Sequence, residues 1–334
     1  MTRHNKYDLL QQIVSAINDS GWNVIYLESI DQHPFDLQIY SDNESYRVRV
    51  YVWHMTHGGG KARPKDEYRI QITGVDHFEP LVDGKTLILG WWKDAEVFAG
   101  FDVRKHMGKL GASPSIQIRE NALRKAYVNG FEPCDKGNRE VAIAFRPDFF
   151  VEYVKSLESL HDFGQSEKDF AVLSEVAENP EINDTDIQIQ DIARKTTVIS
   201  VSKKLRAANF RKRVLTAYGF RCAVCGIQLK LAEAAHIVPV NHVNSTDETR
   251  NGLALCALHH KAYDQALITI KGDYSILLNR EQVTELQKQN LVEGLTKFQQ
   301  DLRPIIILPP AISDRPHSEY VRIANDIRGW KIDK

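Results

Sequence analysis

Thiols and imidazoles crowd into one short stretch of this chain. Of the four cysteines in 334 residues, Cys222, Cys225 and Cys256 lie there, with His236, His259 and His260. Cys222-x-x-Cys225 and Cys256-x-x-His259 make two two-ligand turns with thirty residues between them. Zn2+ takes four soft nitrogen and sulfur donors in a tetrahedron, and paired short turns deliver that geometry. A lone CxxC would be weak evidence, because redox motifs share it. Two knuckles in a chain with one other cysteine point to metal, and four protein ligands make the ion structural. The other cysteine, Cys134, reads as an incidental thiol, and so small a count argues against a disulfide framework.

Between the knuckles, LAEAAHIVPV reads as a strand with His236 among apolar neighbours. A histidine so placed is more often structural than catalytic, but its surroundings add chemistry. Asn251-Gly252 can turn the chain back, with the Asn251 amide holding the loop after His236 through backbone hydrogen bonds. After Cys256 a helix presents His260 and Asp264 four residues apart on one face. That pair suits a divalent cation. Taken alone it is an ordinary helix-surface hydrogen bond.

The order AAHIVP…NGLALCALHHKAYD…LITI, preceded by FRKRVLTAYGFRCAVCG, resembles the HNH endonuclease motif (the ββα-metal fold) over residues 205–278. The resemblance implies that His236 is the general base and Asn251 the orienting asparagine. It implies that His260 and Asp264 ligate a catalytic Mg2+ or Mn2+, and that the products carry 5′-phosphate and 3′-hydroxyl ends. This version of the motif accompanies predicted restriction endonucleases, following an unrelated recognition domain. One position departs. Many members carry Asp or His just before the base, where this chain has Ala235. Glu233 sits two residues earlier on the same strand face and is the candidate replacement, directly or through water.

Such groups need a scaffold and a DNA-reading surface. Residues 1–160 read as a mixed α/β target-recognition domain. A helix is expected over 7–18 from apolar spacing, and strands over 22–27, 35–40, 46–53, 68–73, 86–92, 96–101 and 141–146. The order helix, strand, HPFDL strand, YRVRVYVW strand resembles the core of the PD-(D/E)xK nucleases, in degenerate form. The acid and lysine of that family are replaced by residues among Val48, Arg49, Val50 and Tyr51, and Asp36 alone cannot hold a catalytic metal. Two patches are candidates for DNA contact. One is a glycine-rich loop with Lys61, Arg63 and Lys65; the other, over 101–123, carries Arg104, Lys105 and Arg119. A solvated surface explains either equally well.

Residues 161–200 read as a linker containing a helix near 168–178 that ends at Asn179-Pro180. The HNH domain is expected over 201–290, opening on a basic block at 203–213 in which Arg211 and Arg213 are candidate phosphate contacts. A hairpin is expected at 267–278 around Lys271-Gly272-Asp273, then one helix over 280–302, with 291–334 forming a C-terminal helix and tail.

The bulk properties set bounds. Hydrophobic content of 43%, charged content of 26% and a net charge of −1 are those of a soluble globular protein. No apolar run reaches bilayer length and no signal-peptide core is visible, so a cytoplasmic protein without membrane contact is expected. The expectation is an α+β chain with a recognition domain and a zinc-stabilised ββα-metal domain. It would be a metal-dependent restriction endonuclease on double-stranded DNA, sequence-specific or modification-dependent, acting as a homodimer because each HNH site cuts one strand. Two alternatives stand beside it: a ligand-activated, non-specific defence nuclease, and a non-catalytic, zinc-stabilised DNA-binding regulator.

Overall fold

The computed structural model describes residues 3–58, 64–183 and 185–332. The chain divides into two compact units, Met1–Leu205 and Arg206–Lys334, and its class is α+β.

In the first unit, α1 (Arg3–Asp19) leads into β1 (Asn23–Tyr26), β2 (Phe35–Tyr40) and β3 (Ser45–His57). Then come β4 (Glu67–Gln71), β5 (Lys85–Trp92), β6 (Val97–Phe101), β7 (Ser115–Arg119), α2 (Glu120–Asn129), β8 (Phe131–Asp135) and β9 (Val141–Phe145). Helices α3 (Phe150–Lys155), α4 (Leu157–Asp162), α5 (Glu167–Glu178) and the start of α6 (Ile192–Ala217) follow. The strands form one sheet in the order β1-β2-β3-β5-β6-β9-β8, from which β4 and β7 branch at the end of β3. Every pairing is antiparallel except β3 with β5.

This sheet is buried on both faces. Because strand side chains alternate, Val48, Val50 and Val52 of β3 join Leu87, Leu89 and Trp91 of β5 in one core, with α1 and the later helices. Tyr51, Trp53 and Met55 join Ile88 and Trp92 in the other, with α2, β4 and β7. Two-sided burial turns the central strands into continuous apolar runs, which is why they stood out in the sequence. His33 is sandwiched edge-on among Phe35, Tyr51 and Trp53, and its Nε2 accepts the Val52 amide at 3.0 Å. Burial, with the charge of Lys6, pushes its imidazole down to about 3. Asp36 faces its register partner Arg49 in a two-pronged ion pair, both bonds 2.8 Å, so the one acid of the nuclease-like strand pair is neutralised by a side chain.

Two expectations change. Residues 161–200 do more than link: Phe163, Leu173, Val176, Ile187, Ile189 and Val198 belong to the first core. Helix α5 supplies Leu173, Val176 and Ala177 from one face, whereas Ile187 and Ile189 reach the core singly from polar, aperiodic sequence, which hid the packing of that stretch. The stretch 101–123, where only a basic patch was expected, holds β7 and the start of α2, and β8 follows where no element was expected.

In the second unit, α6 continues from Arg206, and β10 (Ala232–His236) pairs antiparallel with β11 (Gly252–Cys256). Helix α7 (Ala257–Asp264) follows at once, then the hairpin β12 (Ile268–Ile270) and β13 (Ile276–Leu278). The single helix expected over 280–302 is two, α8 (Arg280–Lys288) and α9 (Leu295–Asp301). Asn290, at φ 56° just past the cap of α8, takes the left-handed conformation with which helices end, and Gly294 at φ 83° caps the start of α9. The last helix, α10 (Ser318–Ile327), buries Val321 and Ala324 in the same core as β10, β11 and α7.

Candidate active site

The two knuckles converge. Among the described residues, Cys222, Cys225, Cys256 and His259 bring one ligand atom each within 4.8 Å of one another. His259 Nδ1 lies 3.2 Å from Cys256 Sγ and 3.6 Å from Cys222 Sγ. Gly226, at φ 85°, lets its amide fold back onto the Cys222 carbonyl at 2.8 Å, closing the first turn. Burial opposes ionisation of the Cys222 thiol, yet the His259 imidazole and nearby amides bring it down to about 6. Burial pushes Cys225 up to about 12 and raises Cys256 as well. Crowded thiols next to one thiolate resist ionising, and a divalent cation reverses that by supplying the missing charge. The donor set therefore fits structural zinc.

His236 ends β10 and is paired across the ribbon with Gly252. Its ring stacks on Phe210 at 3.7 Å and 11°. A Cβ at Gly252 would meet Val214 at 2.3 Å and Phe210 at 3.0 Å. Gly252 itself is extended, at φ −125°. The glycine of Asn251-Gly252 thus serves close approach of α6 rather than a turn, and that approach places the phenyl ring on the imidazole. His236 Nε2 lies 2.9 Å from Asp247 Oδ1. The His236 hydrogen bond holds the Asp247 carboxyl below its usual range, so it is an anion that only accepts. Nε2 then carries the proton, and the Nδ1 lone pair is the basic one.

Asn251 is fully buried and pins the loop after His236. Its Oδ1 accepts the Val238 amide at 2.9 Å, its Nδ2 donates to the Thr246 carbonyl at 2.7 Å, and its own carbonyl accepts the Ile237 amide at 2.8 Å. On α7, His260 stands between two carboxylates. Nδ1 is 2.8 Å from Glu233 Oε2 and Nε2 is 3.5 Å from Asp264 Oδ2. An Nδ1–H donated to Glu233 leaves the Nε2 lone pair facing Asp264, an arrangement in which an acid orients a ligating imidazole. Ala235 is 1% exposed in the core, paired with Leu253, and offers no ligand. Glu233 is half-exposed and engages His260.

This ββα arrangement has a counterpart among known families: residues 222–271 match the model described as HNH endonuclease. The second unit carries an HNH endonuclease domain. Residues 46–154, within the first unit, match a family described as Methylase-associated X1. No curated protein matches the sequence. Among solved structures, one titled "Modification dependent TagI restriction endonuclease" is similar over 83% of this chain and 80% of that chain. At 12% identity and a TM-score of 0.29, that likeness carries no argument.

The candidate DNA contacts fare unevenly. Lys61 and Arg63 lie outside the described residues, while Lys65 and Lys105 are exposed. Arg104 is held by Asp102 at 2.9 Å and Asp162 at 2.9 Å, so its charge is matched within the fold. Arg119 pairs with Asp66 at 2.7 Å. In the HNH unit, Arg211 is exposed, and Arg213 donates to the Asp247 carbonyl at 2.6 Å. Arg213 also lines a groove of about 930 Å³ with Lys212 and Arg221. Sequence reading missed Asp247 and Phe210. Asp247 sits in a polar loop, eleven residues from the imidazole that it holds, and nothing in that spacing signals the pair.

Proposed function

We propose that this chain is a metal-dependent DNA endonuclease of the restriction type. The observation that carries the reading is the setting of His236: Nε2 lies 2.9 Å from the Asp247 carboxylate and Phe210 stacks on the ring, so that an Nε2–H donated to Asp247 leaves Nδ1 as the base. In the proposed reaction His236 Nδ1 takes a proton from the attacking water, and the Asp247 anion steadies the imidazolium that results. Asn251 keeps the loop between these partners in place through its three backbone bonds. His260 and Asp264 would hold a Mg2+ or Mn2+ ion, with Glu233 orienting His260. Bound there, the cation would neutralise charge on the phosphate and the departing 3′ oxygen. Four-coordinate zinc at Cys222, Cys225, Cys256 and His259 would hold the domain together.

The first unit is read as the target-recognition module. A methylase-associated family beside an HNH domain suits a nuclease partnered with a DNA methylase. The groove lined by Lys212, Arg213 and Arg221 suits backbone phosphates. Two protomers would cut the two strands of a duplex. Among the described residues no helix is long and apolar enough to cross a membrane.

The test is cleavage of methylated and unmethylated phage DNA by the purified protein in Mg2+ or Mn2+. His236→Ala should lower the rate by about 10³-fold or more while leaving the melting profile unchanged. Equal activity in that variant would remove His236 as the base. Binding of DNA without cleavage in every metal would overturn the nuclease reading in favour of a regulator.

A further inference from the structure

The HNH match ends at residue 271, but a side chain far beyond it enters the centre. Arg328, the residue that caps α10, has its side chain only 8% exposed. Its Nη1 donates to the Ile237 carbonyl at 2.9 Å, directly after the base His236. Its Nη2 lies 3.9 Å from Asp264 Oδ1, and its guanidinium lies over the Tyr263 ring at 4.3 Å. Helix α10 is itself anchored. Val321 and Ala324 are buried, and Asn325 Nδ2 donates to the Ile270 carbonyl at 3.0 Å.

A guanidinium removed from water must be hydrogen-bonded and paired, or the group is costly to bury. Here the fork is divided between a backbone carbonyl on the base's side and a carboxylate on the metal side. Arginine suits such a double task because its planar head fixes two directions at once, which an ammonium does not. Stacking on Tyr263 sets the plane, and the attraction of cation to ring adds to it.

We propose that Arg328 is a positioning residue of the active site, and that α10 is therefore part of the catalytic unit. Arg328 braces the exit of β10 against the end of α7, fixing His236 relative to Asp264. Its charge attracts Asp264 Oδ1 and so turns Oδ2 toward His260 Nε2, where a divalent cation would be held. This rests on the reading of His236, His260 and Asp264 given above.

The experiment uses the full-length protein with Arg328→Ala, Arg328→Lys and, as control, Arg322→Ala, an exposed position of the same helix. Kinetics on cleaved DNA and Mn2+ binding followed by electron paramagnetic resonance without DNA are both read. Arg328→Ala should lower kcat by about 10- to 100-fold with KM little changed, and weaken Mn2+ binding by a similar factor. Arg328→Lys keeps the charge but loses the fork and should fall between, and Arg322→Ala should match the wild type. If Arg328→Ala melts below the assay temperature, Arg328→Lys decides, because it retains the buried charge. A kcat within about threefold of wild type in a folded Arg328 variant overturns the inference, as does a loss confined to KM. If the wild type cleaves nothing, the endonuclease reading fails on its own. The Mn2+ titration then still judges Arg328, and unchanged affinity overturns its role.

Discussion

The two units reach a folded state by different means. The first wraps a nine-stranded sheet in apolar layers on both faces, with Trp53, Phe98, Phe101, Phe131, Phe145 and Phe150 fully buried. The second has two two-stranded ribbons and short helices. A lone two-stranded ribbon is marginal in water, and small cores are completed by staples such as metal sites. With zinc bound, the Cys222–Cys225–Cys256–His259 cluster would be that staple, tying the turn after α6 to the junction of β11 and α7. Burial sustains the first unit and zinc coordination would sustain the second, so metal removal should tell the two apart.

Metal removal gives the largest separation. A strong chelator should unfold the second unit, since structural zinc contributes on the order of 10 kcal/mol in small domains. The near-UV signal of the first unit, rich in buried Tyr and Trp, should persist. Simultaneous loss of both signals would break the comparison.

Acid should weaken the first unit through His33, while it also protonates the thiolates that would hold zinc in the second. Its folded pKa of about 3 lies below the ordinary 6.5, so between these values the unfolded chain binds the extra proton. Stability of the first unit should therefore fall as pH drops from 6.5 toward 3, by about 5 kcal/mol at most, and then level off. His33→Phe should flatten the dependence in denaturant melts of the first unit followed against pH. An unchanged slope would show that His33 is not the group responsible.

The smallest effect tests whether catalysis in the second unit separates from its stability. Asp247→Ala should reduce cleavage by about 10- to 100-fold, as loss of a group that orients a histidine does. Melting should be unaffected, because Asp247 lies in a partly exposed loop. A variant that melts early would show that the loop is structural first.

Legibility followed the same division. The strands of the first unit were visible because apolar runs survive two-sided burial, as in YRVRVYVW and KTLILGWW. Helix α5 was legible too, close to the expected 168–178 and ending at Asn179, but the packing of the segment after it was not, since Ile187, Ile189 and Val198 reach the core singly. In the second unit the ligand spacing announced the metal cluster. His260 and Asp264 stood out as a helical pair, and Asn251 was expected to hold the loop that it does hold. The partners that set these groups were hidden. Asp247, Phe210 and Arg328 meet the site only through folding, and no local pattern marks them. Helix 280–302 was misread because Asn290 was passed over as a stop signal.

His259 and His260 are consecutive on α7, yet one ring faces the thiol cluster and the next sits between Glu233 and Asp264. A single peptide unit thus links the candidate metal cluster to the proposed catalytic centre. If zinc holds His259, a molecule lacking it would lose the anchor for the very turn that presents His260. In a mixed preparation, turnover would be a head count: zinc content sets how many molecules cut, not how fast each one does.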